Sequence, residues 1–180
     1  MSNQLVDSQL LFEKSHLQHG MHVADFGCGR TGHIVYPAAK LVGKEGMVYA
    51  VDIMKDVLEA IYKGAQMNTQ VNIHTVWSDI EQPGMTAIPE QSLDVAFLIS
   101  ILDQTKKQEV LLAEVKRLLK EKARLVIVDW IKKPPAFGPP ETSFVNFTEL
   151  KKWAGANAFV VQEEFPVGPY HWGLVLYKHE

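Results

Sequence analysis

Short apolar runs with the length of a β-strand alternate with helical patterns along most of this chain. The run Leu93–Ile99 is almost wholly apolar, which is typical of a strand that is buried on both faces of a sheet. Strands that alternate with helices favour a parallel sheet with helices on both faces. The predicted strands are Met21–Phe26, Met47–Val51, Val71–Trp77, Leu93–Ile99, Arg124–Trp130, Phe159–Phe165 and Trp172–Tyr177.

Helical periodicity separates these strands. A helical segment is expected within residues 1–20, and the other predicted helices are His33–Val42, Lys55–Met67, Gln108–Lys120 and Thr148–Ala156, the last with Thr148 as its N-cap. Right-handed crossovers then give an α/β fold, a Rossmann-like doubly wound sheet that is mostly parallel. A short Pro/Gly turn joins the last two strands, so we expect a hairpin that adds one antiparallel C-terminal strand.

Composition limits the classes of protein to which the chain can belong. Its 180 residues are 47% hydrophobic and 22% charged, which predicts one domain over residues 1–180. The net charge is −3 and no run of Lys and Arg stands out, so nothing predicts binding to nucleic acid or to a membrane. The single cysteine, Cys28, and the lack of a secretory pattern favour the cytoplasm. The oligomeric state is not predicted.

A glycine-rich turn follows the first predicted strand and carries Gly27, Gly29 and Gly32, with Cys28 between the first two. In doubly wound sheets, ligands bind at the carboxyl ends of the strands, where the winding reverses. Glycines allow a tight turn and let a ligand approach the backbone. The helix that follows offers free N–H groups at its start. On its own such a glycine pattern is weak evidence for a binding site.

Acidic residues end the next two predicted strands. Asp52 ends the second strand, where a carboxylate can accept hydrogen bonds from both hydroxyls of a ribose. Ile53 and Met54 follow it and can line one face of an adenine. Asp79 ends the third strand and can accept a hydrogen bond from an adenine amino group, with Ile80 beneath the ring. The glycine-rich turn after the first predicted strand and the acids at the ends of the next two together predict an adenosine-binding slot across three adjacent strand ends.

Asp25 separates two classes of cofactor. It lies two residues before Gly27, at the tip of the first predicted strand. A carboxylate there repels the pyrophosphate of a dinucleotide but attracts a cation, such as the amino group or the sulfonium of S-adenosylmethionine. The alternative is that Asp25 only caps the turn that follows.

These motifs resemble the class I S-adenosylmethionine-dependent methyltransferases, and within them the ubiquinone/menaquinone-biosynthesis-like group. Asp25–Gly29 is similar to the family's first motif, Val48–Ile53 to its acid-tipped second strand, and Ser78–Ile80 to its third motif. Leu93–Leu98 resembles its fourth strand, and Leu118–Ile127 its helix-turn-strand segment. The resemblance implies S-adenosylmethionine as cofactor. The predicted cofactor-binding residues are Asp25, Gly27, Cys28, Gly29, Gly32, Asp52, Ile53, Met54, Asp79, Ile80 and Ser100.

Two features depart from the family pattern. Gly32 comes one residue late, which leaves an NAD(P)-dependent oxidoreductase as an alternative. Glu121 and Lys122 replace the usual Pro-Gly of a turn. A non-catalytic nucleotide-binding module on the same fold is the other alternative, because fold does not fix activity. The acceptor is predicted only as a small molecule.

The sulfonium makes its methyl group electrophilic, so much of the catalysis can be the positioning of an acceptor. A base is needed only where the acceptor must lose a proton. Asp103, after the fourth strand, and His171, in the hairpin turn, are the candidate catalytic bases. Their alternatives are a helix N-cap for Asp103 and a solvated turn residue for His171. No metal is predicted, and the long loop 131–146 is a candidate moving wall of the acceptor pocket.

Overall fold

The computed structural model describes residues 6–134 and 136–179, so predictions on residues 1–5 and on Pro135 lie outside the described residues. Strands and helices alternate as the sequence predicts. The helices are α1 Ser8–Lys14, α2 Val35–Val42, α3 Lys55–Met67, α4 Gln108–Leu118 and α5 Phe147–Ala156, with short 3-10 helices at Leu102–Gln104 and Glu141–Ser143. The strands are β1 His22–Phe26, β2 Met47–Asp52, β3 Ile73–Trp77, β4 Leu93–Ile99, β5 Leu119–Trp130, β6 Phe159–Val167 and β7 His171–Lys178.

The strands form one sheet in the order β3-β2-β1-β4-β5-β7-β6. Strands β1 to β5 pair in parallel, and β7 runs antiparallel to both of its neighbours, β5 and β6. This confirms the predicted α/β fold with one antiparallel strand. The winding reverses between β1 and β4, so a ligand crevice is expected at their carboxyl ends. None of the helices in the described residues is long and apolar enough to cross a lipid bilayer.

Two hydrophobic clusters, one on each face of the sheet, make up the core. Along β4, Val95 and Phe97 join the cluster that packs against α1, α2 and α3. Ala96 and Leu98 join the cluster beneath α4 and α5. All four side chains are fully buried, because successive residues of a strand point to opposite faces and both faces of β4 are covered. This double burial explains the apolar run that the sequence shows.

The junction between α4 and β5 differs from its prediction. The predicted helix Gln108–Lys120 ends early, at Leu118, and β5 begins at the next residue instead of at Arg124. Leu119 pairs with Leu93 at the start of β4, and the register of this pair of strands then shifts. The residues predicted to form a turn are therefore an irregular part of the strand.

The cap of α5 also corrects a prediction. The N-cap is Asn146 and not Thr148, and α5 begins at Phe147. The Asn146 Oδ1 accepts hydrogen bonds from the backbone N–H groups of Thr148, at 3.1 Å, and Glu149, at 3.2 Å. An N-cap side chain reaches the second and third N–H groups of its helix, which places the cap two residues earlier than predicted. The helix α2 and the strand β3 differ in the opposite direction, since each begins two residues later than predicted.

Candidate functional site

A cavity of about 350 Å³ lies at the carboxyl ends of β1, β2 and β3, beside the segment that follows β4. Its volume is within the usual range for a small-molecule site. More than half of the predicted cofactor residues line it, namely Gly27, Asp52, Ile53, Met54, Asp79 and Ile80. The structure thus brings the predicted adenosine-binding residues around one cavity.

The remaining predicted cofactor residues are not part of the cavity lining: Asp25, Cys28, Gly29, Gly32 and Ser100. Asp25 and Cys28 are buried on either side of the first turn glycine. Their contacts with a cofactor stay predictions.

Asp52 shapes the glycine turn as well as the cavity. Its Oδ2 accepts a hydrogen bond from the Gly29 N–H at 3.2 Å, and its Oδ1 accepts one from the Met54 N–H at 2.9 Å. Each carboxylate oxygen has a second lone pair, so Asp52 can also accept hydrogen bonds from two hydroxyls. The carboxylate that the sequence assigns to a ribose is therefore held in place by the backbone beside it.

Gly27 is favoured at the tip of β1 mainly by its backbone conformation, because residues with a side chain rarely adopt a positive φ. Its φ is +71°, and a Cβ built on it would lie 2.1 Å from the Ile101 Cδ1. The segment after β4 therefore crosses directly over the glycine turn. Gly32 has a different role, since its Cβ would lie 2.5 Å from the ring of Tyr36. It makes room for a side chain of α2.

Asp25 is a buried carboxyl group whose pKa is shifted strongly upwards. Burial raises its pKa, and the charge of Asp52 raises it further, to about 8. At neutral pH most molecules therefore carry a proton on Asp25 unless a cation lies beside it. The repulsion of a pyrophosphate that the sequence predicts applies only to the ionised form.

Cys28 is not built to act as a nucleophile. It is fully buried, and burial together with the charges of Asp25 and Asp52 raises the pKa of its thiol. A thiol that stays protonated is unreactive, which fits a packing role within the turn. Within the described residues, no group of three or more His, Cys, Asp or Glu side chains is arranged to hold a metal ion.

Several lining residues were missed by the sequence reasoning. Ile101, Gln104 and Thr105 follow β4, a segment that the sequence assigns to the acceptor and not to the cofactor. Thr105 donates a hydrogen bond to Glu81, which also lines the cavity. Leu111 comes from the apolar stripe of α4, a pattern that indicates only core packing.

Glu114 anchors the segment that carries Asp79. It is almost fully buried, and its carboxylate accepts hydrogen bonds from the backbone N–H groups of Gly84, at 2.8 Å, and Thr86, at 3.1 Å. Arg117 pairs with it at 2.6 Å. Burial raises the pKa of Glu114, but the Arg117 guanidinium and the two N–H groups outweigh this and hold it at about 2. The wall of the cavity is thus tied to α4 by an ionised side chain.

Neither candidate base has the purely structural role that the sequence left open, which was a helix N-cap for Asp103 and a solvated turn residue for His171. Asp103 lies in the 3-10 helix after β4 and does not cap α4, whose N-cap position is Lys107. Burial raises the pKa of Asp103. His171 is the first residue of β7 and is fully buried, so it is not a solvated turn residue. Its ring centroid lies 4.1 Å from that of Trp130, and burial lowers its pKa.

The structure does not pair Asp103 with His171. His171 lies opposite Trp130, whereas Asp129 lies opposite Trp172. Because neighbouring residues of a strand point to opposite faces, His171 and Asp129 are on different sides of the sheet. Asp103 is close enough to Asp129 for its charge to raise the pKa of that carboxyl group. The sequence analysis missed Asp129, although a lone acid within an apolar strand is a visible signal.

The loop after β5 lies against the end of that strand. A Cβ built on Gly138 would lie 3.5 Å from the Trp130 Cζ3, so the loop packs over the indole. Phe137 is 49% exposed and supplies an apolar side chain at the surface.

Comparison with known proteins identifies the family. The methyltransferase domain family matches residues 17–158. The chain is 38% identical over 76 residues to aklanonic acid methyltransferase DauC from Streptomyces sp. (strain C5), which covers 42% of this chain and 33% of DauC. It therefore spans about a third of the length of this curated relative.

Solved structures show the same fold. A S-adenosylmethionine-dependent methyltransferase from Aquifex aeolicus superposes with a TM-score of 0.84 at 24% identity, over 97% of this chain and 91% of that one. A protein from Sulfolobus solfataricus, provisionally assigned as a type 11 methyltransferase, superposes with a TM-score of 0.74 at 24% identity. The superposition covers 98% of this chain and 94% of that one. The nearer resemblance to the ubiquinone/menaquinone group stays a prediction. The chain belongs to the methyltransferase domain family, whose members use S-adenosylmethionine.

Proposed function

We propose that this chain, as a single domain, transfers the methyl group of S-adenosylmethionine to a small molecule. The observation that carries the proposal is the cavity formed by three adjacent strand ends, with a carboxylate on two of them. The residues fit an adenosine: Asp52 and Asp79 offer hydrogen-bond acceptors, and Ile53 and Ile80 offer apolar surface. A small-molecule acceptor is also supported by the relative that acts on aklanonic acid. A cytoplasmic setting stays a prediction from the single cysteine.

The chain's own residues supply binding and orientation. Asp52 would hold the ribose hydroxyls, and Asp25 would hold the ammonium of the methionine part once it is ionised. Gly27 allows the positive φ of the turn and makes room for Ile101, which lines the cavity. When bound, the cofactor supplies an electrophilic methyl group. Asp103 and His171 remain the candidate bases. Asp103 is half-buried in the 3-10 helix after β4, whereas His171 is fully buried against Trp130.

Calorimetric titration tests the cofactor class. We expect S-adenosylhomocysteine to bind and NADH not to bind, because the family match is to methyltransferases and the slot is adenosine-sized. Binding of NADH alone would support the oxidoreductase alternative. Binding of S-adenosylhomocysteine without transfer to any acceptor would favour the non-catalytic module.

A transfer screen tests the acceptor class. Cell extract is incubated with the protein and methyl-labelled S-adenosylmethionine, and the label is sorted into small-molecule, protein and RNA fractions. We expect label mainly in small molecules, since the sequence shows no basic run for nucleic acid. Label mainly in RNA or protein contradicts the proposal.

The loop 131–146 is proposed as a wall of the acceptor pocket, because it packs over Trp130 at the end of β5. Replacing residues 133–142 by a short Gly-Ser link, which keeps Val145 in the core and Asn146 as the cap of α5, should leave binding of S-adenosylhomocysteine intact and abolish transfer. Unchanged turnover with the true acceptor would remove the loop from the mechanism.

A further inference from the structure

Buried polar atoms without a hydrogen-bond partner cluster at one edge of the sheet. Within the described residues, five of the six such atoms belong to Ser100, Asp103, Asp129 and His171. These residues follow β4, end β5 and begin β7, which are adjacent in the sheet. A buried polar group without a partner costs about 1–3 kcal/mol, so such a cluster indicates a place where a polar ligand completes the bonding.

Asp103 and Asp129 lie close together, and Ser100 begins the segment that carries Asp103. Asp129 is fully buried, and its Oδ1 accepts a hydrogen bond from the Trp130 N–H at 2.9 Å while its Oδ2 has no partner. The N–H groups of Leu102 and Asp103 approach the same carboxylate, which is therefore aimed at the 3-10 helix. The N–H of Ser100 donates to the Val128 carbonyl at 2.8 Å, which places Ser100 beside the end of β5. His171 faces the other side of the sheet and is not part of this group.

This group borders the cofactor cavity. Ile101, Gln104 and Thr105 line the cavity, and Asp103 lies between them in the same short segment. The Gln104 side chain donates to the Ser100 carbonyl, so both ends of the segment are tied together. A ligand bound at the carboxyl group of Asp103 would therefore be a neighbour of a bound cofactor.

The charge at this place favours a cation. Burial raises the pKa of Asp129, and the charge of Asp103 helps to raise it to about 7. Lys107, further along the same segment, pairs with Glu81 at 3.5 Å and leaves the acids unneutralised. With a pKa of about 7, Asp129 is about half ionised near neutral pH, so the pair of carboxyl groups carries a net negative charge. A cationic group offers what this pair lacks.

We propose that Ser100, Asp103 and Asp129 form the acceptor subsite of the methyltransferase proposed above, and that the acceptor presents an amine to it. The inference rests on that proposed function and adds the chemical class of the substrate. An ammonium group donates hydrogen bonds to the three unpartnered oxygens. An acceptor molecule that carries an ionised carboxylate has no proton to donate there. The carboxylates also offset the charge of a second cation beside the sulfonium.

The reaction balances with Asp103 as the proton acceptor. The Asp103 carboxylate takes one proton from the bound ammonium, which frees the nitrogen lone pair. The nitrogen then forms a bond to the methyl carbon as the carbon–sulfur bond breaks, and the electron pair of that bond stays on sulfur. The products are the methylated ammonium and S-adenosylhomocysteine, and the proton on Asp103 passes to water. Asp129 binds the ammonium through its own hydrogen bond and takes no part in the proton transfer.

The test uses metabolites extracted from the source cells and separated into basic, neutral and acidic fractions by ion exchange at pH 7. Each fraction is incubated with the whole chain and methyl-labelled S-adenosylmethionine, and binding of S-adenosylhomocysteine is measured in parallel. We expect labelled product from the basic fraction. If S-adenosylhomocysteine binds and the basic fraction gives no labelled product, the amine assignment is wrong, whatever the other fractions give. If S-adenosylhomocysteine does not bind, the proposed function itself fails.

Isosteric variants test the residues on the labelled amine. D103N should lower kcat/KM by about 100-fold or more, the usual range for loss of a proton-transferring group. D129N should raise KM about tenfold with a smaller change in kcat, because it removes a positioning charge. D94N is the matched control, since Asp94 lies on β4 but pairs with Lys120 at 2.7 Å, away from the carboxyl end.

The affinity for S-adenosylhomocysteine should stay within about twofold of the parent in all three variants, which separates the acceptor subsite from the cofactor slot. Equal kinetics of D103N and D94N would overturn the assignment of Asp103. If D129N does not fold, D103N decides alone, since Asp103 is only half-buried.

Discussion

Cofactor binding should depend on pH through Asp25. The group is buried in the free protein with a pKa of about 8, and only its ionised form attracts an ammonium. The ionised fraction is about a half at pH 8 and about 1% at pH 6, so the affinity for S-adenosylhomocysteine should fall about 50-fold between these values. Binding at pH 7 should release close to one proton, because the bound cation lowers the pKa of the carboxyl group.

Calorimetry in two buffers with different ionisation enthalpies measures both quantities. D25N should bind more weakly than the parent at pH 8, with an affinity that changes little between pH 6 and pH 8. Any pH dependence of the affinity that is left in D25N comes from the other titrating groups. An equally steep profile in D25N, or no proton release by the parent at pH 7, would refute the assignment of Asp25 to the ammonium.

The stability of the free protein gives an independent check. A carboxyl group with a raised pKa in the folded state favours folding less as the pH rises from its ordinary value of 3.8 to about 8. At about 1.4 kcal/mol per pKa unit, the full cost of Asp25 at pH 8 is roughly 5 kcal/mol. D25N should therefore raise the melting temperature at pH 8 and change it little at pH 4.

Three further predictions concern the cavity and its support. D52A should weaken binding of S-adenosylhomocysteine by about 1.5–3 kcal/mol in calorimetry, because the ribose loses a charged acceptor, and D79A should do less; parent-like binding in both folded variants would mean that the slot is misplaced. G27A should weaken binding of S-adenosylhomocysteine in a protein that stays folded by circular dichroism, since a side chain at φ +71° strains the turn and displaces Ile101, which lines the cavity. E114Q should lower the free energy of unfolding by about 2–3 kcal/mol at pH 7 in urea titration. That loss should shrink as the pH falls from the usual carboxyl range towards about 2, where the parent's Glu114 becomes protonated.

Much of the fold was predictable because periodicity reports burial. The apolar run of β4 and the amphipathic stripe of α3 follow directly from which faces are covered. The boundary between α4 and β5 was not predictable, because Leu119 is as compatible with a helix as with a strand. Only its pairing with Leu93, distant in the chain, decides between them.

The cofactor slot was more predictable than the acceptor site. Asp52 ends β2 and Asp79 lies two residues after β3, so the strand order alone brings them to one edge of the sheet. The contact between Asp103 and Asp129 depends instead on the face of the sheet to which Asp129 points. A shift of one residue in the register of β5 would turn Asp129 to the other face. The sequence placed His171 on the rim, but its burial against Trp130 comes from the antiparallel pairing of β5 and β7.

The order of the last two strands matters while the chain folds. β6 is made before β7, yet β7 lies between β6 and the rest of the sheet. Until β7 pairs with β5, β6 has no place in the sheet, and its backbone is open to pairing with other chains. Its exposed side chains include Glu164, and its end carries Pro166, features that discourage such pairing. Because β6 also exposes Val160 and Val161, these two features are only part of its protection, and prompt pairing with β7 supplies the rest.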